Sequence, residues 1–233
     1  MKTQRVLIIL MVVSVLMQGA NLWLKRSGPS RRPARQPVTD APSGATIDLS
    51  SRPTEGADNA KTVFIEFSDY ECPFCIRHAT SVGNEIDKKF VQTGKIRHVF
   101  VNSPLPIHPN AKMLATAAIC AGLQGHYWMM HESLFSKKPS SKDQVLPLAT
   151  EMNLDDAQFK KCLDGDTTAE VQIAKDIEDF KKLGLTGTPA FAVGHVDGSG
   201  RITLDKLIQG AQPLSIFETA INDVLNRVQK ASL

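Results

Sequence analysis

Four consecutive residues, Cys72-Pro73-Phe74-Cys75, have the types and spacing for redox chemistry. Two cysteines three positions apart can close a disulfide and open it again. The reacting species is the thiolate, and an ordinary cysteine with a pKa near ~8.5 is mostly protonated at neutral pH. Proline directly after Cys72 suits the first turn of a helix, where its missing N–H would have had no partner. At such a helix start, unpaired backbone N–H groups and the helix dipole favour a thiolate on the first cysteine. Cys72 is then the sulfur that forms a mixed disulfide, and Cys75, one turn further on the same face, resolves it. The tetrapeptide alone also serves zinc sites and structural bridges. The chain has no second C-x-x-C to complete a four-thiolate site.

A strand must end just before the pair and a helix must begin on it. Lys61–Ser68 (KTVFIEFS) is a β-branched and aromatic run with the pattern of a buried strand. Ile76, Ala79, Val82, Ile86 and Phe90 then recur at helical spacing as far as Thr93-Gly94. Lys95–Val101 is a second strand, so a parallel pair with a right-handed crossover is expected. Ile47 and Leu49 suggest a short strand ahead of this unit. The middle is helical: His108-Pro109-Asn110 opens a helix through Ala111–Ala121, and Gly125–Phe135 continues. Ser141 with Gln144, and Asp155 with Gln158, resemble capped helix starts. Thr167–Leu183 is amphipathic through Val171, Ala174, Ile177 and Phe180 and stops at Gly184. Ala190–Val193 and Arg201–Leu204 read as a hairpin around Asp197–Gly200, and Leu214–Val228 as a last helix. The class is α/β, in the order βαβ, helical block, ββα.

Two segments placed by these elements, Phe64-Ile65-Glu66-Phe67-Ser68-Asp69-Tyr70-Glu71-Cys72-Pro73-Phe74-Cys75 and Gly187-Thr188-Pro189-Ala190-Phe191, resemble the DsbA-like branch of the thioredoxin superfamily. They lie about 115 residues apart, and the resemblance covers roughly residues 45–230. It implies a thioredoxin-like fold with a helical insertion at about 108–184 between the βαβ and ββα halves. It also implies disulfide exchange with thiols of secreted or envelope proteins, no dissociable cofactor, and a membrane redox partner such as a quinone reductase. By this resemblance Thr188-Pro189 is a cis-proline turn facing the cysteine pair, whereas the residues alone give only Gly-Thr-Pro before a strand, and most X–Pro bonds are trans. Glu66 corresponds to a buried acid that assists proton transfer, for which a raised pKa is expected; an edge position facing water is the alternative. Cys120 and Cys162 match cysteines that form a structural bridge, which would contribute roughly 3–4 kcal/mol; two free buried thiols or a resolving relay are the alternatives.

The chain also departs from the resemblance. Strong oxidases of that family carry His where this chain has Phe74, and Phe offers the Cys72 thiolate neither a side-chain hydrogen bond nor a charge. A milder oxidant is expected. Threonine before the proline occurs in reductase and isomerase branches too, so the direction of exchange stays open. Isomerases of the family dimerise through a separate domain, for which residues 25–60 are too short and polar, so a monomer is expected. Among the remaining candidates, His126 and His131 with Met129 and Met130 have ligand types that suit copper. The two histidines are five apart, however, which reads as helix core with surface histidines. His78 reads as a solvated helix position.

Val6–Leu24 is apolar after Lys2 and Arg5, as in a signal sequence, and is about the ~20 residues a membrane-spanning helix needs. Gln18 spoils the best cleavage site, after Ala20, so an uncleaved anchor is the reading, with a cleaved signal peptide the alternative. Residues 25–44, rich in Pro, Arg and Ser, form a tether, leaving 45–233 as the folded body. Lys25, Arg26, Arg31, Arg32 and Arg35 follow the apolar run, which by the positive-inside rule alone would keep the body in the cytoplasm. Four cysteines and the linker-like tail argue instead for an extracytoplasmic body, in the periplasm or cell envelope. Residues 1–40 hold seven of the 27 basic residues and one acid, leaving a mildly acidic body of 20 basic and 23 acidic residues with no electrostatic reason to bind nucleic acid. Three functions fit: a dithiol oxidase, a reductase or isomerase of the same fold, and a membrane-tethered module binding metal through Cys72 and Cys75.

Overall fold

The computed structural model describes residues 37–165 and 167–231. The apolar run at 6–24, assigned above to an anchor or signal, lies outside them. Among the described residues no helix is long and apolar enough to cross a membrane.

Strand β4 (Thr62–Ser68) is buried at every position, as a run without polar alternation requires when both faces of a strand are covered. It lies between β5 (Ile96–Asn102), which it pairs in parallel, and β6 (Ala190–Val196), which it pairs antiparallel. β7 (Ile202–Gln209) joins β6 as a hairpin and extends five residues beyond the predicted end at Leu204. Short strands complete the sheet: β1 (Val38–Asp40) and β2 (Thr46–Ile47) lie on β7, and β3 (Thr54–Gly56) on β5. β1 corrects the linker assignment, because Val38, Thr39 and Asp40 pair with Ile208, Leu207 and Lys206. Three residues in a Pro- and Arg-rich stretch show no strand periodicity; the partner edge makes this strand. In the β6–β7 hairpin the register shifts at Val193/Gly194, and a Cβ on Gly194 would sit 2.4 Å from the Thr203 carbonyl oxygen, so only glycine allows this approach.

Between β4 and β5 runs α1 (Pro73–His78), which continues without a break through wide-turn π-helical residues 79–83, α-helical 84–86 and π-helical 87–91. Alternation along β4 divides the interior. Val63, Ile65 and Phe67 face a core with Val99, Val101, Phe180 and Leu185. Phe64 faces the other core, with Ile86, Phe90, Phe191 and Phe217, under α1 and the C-terminal helix α7 (Leu214–Ala231).

The insertion is five helices: α2 (Ala111–Gly122), α3 (Tyr127–Lys137), α4 (Lys142–Glu151), α5 (Asp156–Leu163) and α6 (Thr167–Lys182). Leu114, Ala118, Met130, Leu134 and Phe159 form its own core, which also receives Tyr70, Cys72 and Cys75. Asp155 caps α5 by accepting from the Gln158 N–H at 2.9 Å, whereas Ser141 makes no side-chain cap on α4. On α6 the predicted face is rotated: Val171 is exposed, and Gln172, Ile173, Asp176 and Phe180 are buried. The cause is Arg52, whose buried guanidinium lies 2.8 Å from Asp176 and 2.6 Å from Asp179. A charge that pattern reading sends to solvent is thereby drawn inside.

Cys120 on α2 and Cys162 on α5 are joined by a disulfide closing a 42-residue separation. Constraint of the unfolded chain by a loop of that size is worth about 4 kcal/mol. The double variant Cys120→Ala/Cys162→Ala is expected to lose about that much stability in urea unfolding. A loss under about 1 kcal/mol would show that helix packing, not the bridge, holds the insertion together.

Candidate active site

Where β4 ends, Asp69-Tyr70-Glu71 turns the chain into α1. The buried Asp69 carboxylate accepts from the Glu71 N–H and the Leu105 N–H, both at 2.8 Å, and from His108 Nδ1 at 2.8 Å. Glu71 in turn accepts from the backbone and the side chain of Asn110, the latter at 2.9 Å. The loop after β5 is thus tied to the tripeptide ahead of Cys72. Cys72 sits at the N-cap of α1 with extended backbone (φ −67°, ψ 120°) and no capping side chain, and Pro73 opens the first turn. This leaves the first N–H groups of the helix directed at the Cys72 sulfur.

Cys72 and Cys75 are free thiols, both buried. The Thr188–Pro189 peptide is cis and brings the Thr188 carbonyl 3.3 Å from Cys72 Sγ, where it accepts from the thiol. Sequence positions 116 apart therefore meet at one sulfur. The Cys72 pKa is lowered to about 5: the Cys75 thiol donates to its thiolate, and the Thr188 side chain and the N–H groups of Cys75 and Phe74 add to that against the cost of burial. Cys75 is pushed far up, first by burial and then by holding its proton toward Cys72. One sulfur is a ready thiolate and the other a proton store. Phe74 contributes through its backbone; its ring is 53% exposed, with the Arg77 guanidinium 5.1 Å from its centroid.

Glu66 shares the Phe64 side of β4 and is 3% exposed, so the edge alternative falls. Its expected pKa rise is also corrected. Burial pushes the carboxylate up, but His78 and His98 lie 3.7 and 3.6 Å from Oε2 and bring it below its ordinary value. His78 is itself held low by burial, whereas His98 is raised, with Asp87 3.5 Å from Nδ1 and Glu66 near Nε2 outweighing its burial. His98 is therefore the charged partner at neutral pH. Glu66, Asp87 and His98 border a cleft of about 400 Å³ lined also by Glu55, Trp128 and Glu132. No hydrogen bond joins Glu66 to either cysteine among the described residues.

His78, read as solvated, is buried against Phe191 and Phe217 at ring separations of 4.5 and 5.2 Å. His131, read as a surface histidine, is buried 3.1 Å from the Tyr70 hydroxyl. Neighbours from other elements cover both rings, which helix periodicity does not register. Among the described residues no group of three His, Cys, Asp or Glu side chains is placed to hold a metal ion. The sequence reading missed Asp69, Glu71 and His108, having taken His108-Pro109-Asn110 only as a helix opening; their signal was acids on both sides of Tyr70, directly before the C-x-x-C.

The Thioredoxin family profile matches residues 50–209. The chain is similar to the Na(+)/H(+) antiporter NhaA 1 of Salinispora arenicola, with 30% identity over 163 residues that make up 69% of this chain and 24% of that protein. It is also similar to disulfide bond formation protein D of Bacillus subtilis, with 29% identity over 164 residues, 66% of this chain and 72% of that protein. The crystal structure of oxidised BdbD from Bacillus subtilis superposes with a TM-score of 0.67 and 25% identity, covering 81% of this chain and 100% of that one. The chain spans about a quarter of the length of the first two curated relatives it matches, both antiporters. With its cysteine pair at a strand–helix junction opposite a cis-proline, the chain belongs to the thioredoxin family. Within that superfamily it is a DsbA-like protein.

In the reduced protein, alkylation of Cys72 should rise with pH through a midpoint near 5 and level off at neutral pH, while Cys75 stays unmodified. Because the folded value lies below that of an unfolded cysteine, ionisation of Cys72 stabilises the reduced fold increasingly from about pH 5 up to ~8.5, and this gain disappears on acidification through pH 5. Mass mapping of iodoacetamide adducts against pH checks it; a Cys72 midpoint near ~8.5 would rule out the depressed thiolate.

Proposed function

We propose that this protein is an extracytoplasmic thiol–disulfide oxidoreductase that donates its Cys72–Cys75 disulfide to thiols of secreted or envelope proteins. The observation that carries the proposal is the geometry of the pair, two free buried cysteines at the start of α1 with the carbonyl of the cis Thr188–Pro189 turn 3.3 Å from Cys72 Sγ, an arrangement that lowers Cys72 and raises Cys75. A substrate thiolate attacks Cys72 Sγ, the Cys72–Cys75 bond breaks, and Cys75 leaves with the electron pair and takes up a proton, the form its burial favours. A second substrate thiolate then attacks the substrate sulfur of the mixed disulfide. Cys72 departs as a thiolate, the substrate gains a disulfide, and two electrons remain on the enzyme pair. A leaving thiol of low pKa departs faster and makes the reduced enzyme more stable, so the balance favours oxidation of the substrate.

Glu66, Pro73, Phe74, Thr188 and Pro189 support this reaction in the proposal. Pro73 and the Phe74 N–H set the helix start, and the cis Thr188–Pro189 turn presents a backbone carbonyl to the reacting sulfur and to an extended substrate chain. Glu66, charge-paired with His98, receives a proton only when that pair is disturbed. No dissociable cofactor takes part: the cysteine pair carries the electrons, and a membrane redox partner of the quinone-reductase type removes them. The 6–24 segment tethers the protein, as a monomer, at the membrane.

Equilibration of the full chain in glutathione buffers should give a potential near ~−120 to −180 mV, between a strong oxidase and protein disulfide isomerase. Cys75→Ser should trap substrate on Cys72, and Cys72→Ser should abolish exchange. A potential near ~−270 mV, like thioredoxin, would assign a reductase instead.

A further inference from the structure

The face of the sheet that carries Glu66 opens into the cleft of about 400 Å³ between α3 and the helix that continues from α1. Strand register builds the base of this cleft. Glu55 of β3 is paired with His98 of β5, which is paired in turn with Phe64 of β4, so Glu55, His98 and Glu66 leave the same face. Asp87 enters from the helix that continues α1, and Glu132 from α3. The lining therefore sets four carboxylates against one imidazolium, that of His98, 3.6 Å from Glu66 and 3.5 Å from Asp87. His131, the other histidine of the lining, is kept neutral by burial. No Lys or Arg side chain lines the cleft. Glu55 is raised by loss of water and further by Asp87 and Glu132, against the attraction of His98, as expected where like charges are held together. At the base Glu66 is 3% exposed, and its Oε1 is a buried acceptor without a hydrogen-bond donor. Such an oxygen is costly, and a cationic donor entering the cleft would offset that cost.

The rest of the lining selects the kind of cation. Among the described residues no three acidic, histidine or cysteine side chains converge as a metal ion requires. The volume is more than ten times the roughly 30 Å³ of one water molecule, which is room for an organic ligand. Trp128 contributes an indole ring 5.4 Å from that of His98 and 5.1 Å from that of His131, and Ala79 and Phe135 add apolar surface. Carboxylates beside an aromatic ring and an apolar wall suit ammonium groups joined by methylenes, the charges meeting the acids and the indole and the chain meeting the wall. We propose that this cleft binds an aliphatic ammonium chain, either a free polyamine or a lysine side chain of a partner protein, between Glu55 and Glu132 at its exposed mouth and Glu66 at its base. The inference does not depend on the direction of disulfide exchange, and no bond is made or broken in it.

Calorimetric titration of the full chain with spermidine should show a saturable site with a Kd below about 1 mM that weakens as salt is raised. Glu55 and Glu132 are exposed, so Glu55→Gln/Glu132→Gln should leave the fold and the exchange with glutathione unchanged while lowering the affinity about tenfold. Trp128→Leu should lower it about threefold through loss of the aromatic face. Parallel titration with a short lysine-containing peptide separates the two sources. Tighter binding of spermidine assigns the cleft to a free polyamine, and tighter binding of the peptide assigns it to a partner's side chain. Absence of saturable binding by either probe up to about 10 mM overturns the proposal. Binding that Glu55→Gln/Glu132→Gln leaves unchanged also overturns it, because the probe then sits elsewhere on the acidic body. Calcium that displaces spermidine at equal concentration would do the same, since the cleft would then attract positive charge without regard to its chemistry.

Discussion

The site depends on one constraint, that Cys75 has no access to water. A thiol in that position cannot ionise without losing hydration that the surrounding apolar side chains do not replace, so its proton stays on sulfur, where it is shared toward Cys72. Everything that lowers Cys72 follows from this or adds to it. The burial is a product of the whole fold: β4 delivers the chain to the core, α1 turns the second cysteine inward, and insertion residues such as Ala118 close over it.

The charges beneath the pair are arranged so as not to undo it. A lone carboxylate at Glu66, on the α1 side of β4, would repel a thiolate and raise its pKa. The His98 imidazolium, in turn fixed by Asp87, cancels most of that field locally. His78 and His131 stay neutral because burial is the larger effect for each. The cleft beside Glu66 therefore has an acidic lining, with Glu55, Asp87 and Glu132 besides Glu66 and the His98 imidazolium as the counter-charge, and Glu66 serves first as a structural counter-ion.

The sequence made legible the parts of this arrangement encoded by nearby residues. The unbroken KTVFIEFS run, the proline after Cys72 and the helical recurrence of Ile76 to Phe90 are local, and each marked its element. The failures share one cause. Val38–Asp40 became a strand only because β7 offered a free edge, α6 rotated because Arg52 arrives from 124 positions away, and His78 is buried because Phe191 and Phe217 come from other elements. Asp69 and His108, 39 positions apart, belong to the same group: each alone is an ordinary loop residue, and only the crossover of β4 and β5 brings them together.

That crossover also explains why a helical insertion can influence chemistry outside itself. β4 and β5 run in parallel, so their C-terminal ends emerge side by side, at Ser68 and Asn102. The first chain leads into Cys72 and the second into the 103–110 loop, which the Ser103 N–H ties back to the Ser68 carbonyl at 2.8 Å. The loop ends where α2 begins, and α2 is locked to α5 through Cys120–Cys162. The position of His108 relative to Cys72 is thus held at one end by the sheet register and at the other by a covalently braced helix. A loop of eight residues fixed at both ends has few conformations available. Its hydrogen bonds to Asp69 and Glu71 then hold the tripeptide ahead of Cys72, and with it the start of α1, in one arrangement, which is the preorganisation that helix N–H groups need in order to stabilise a thiolate.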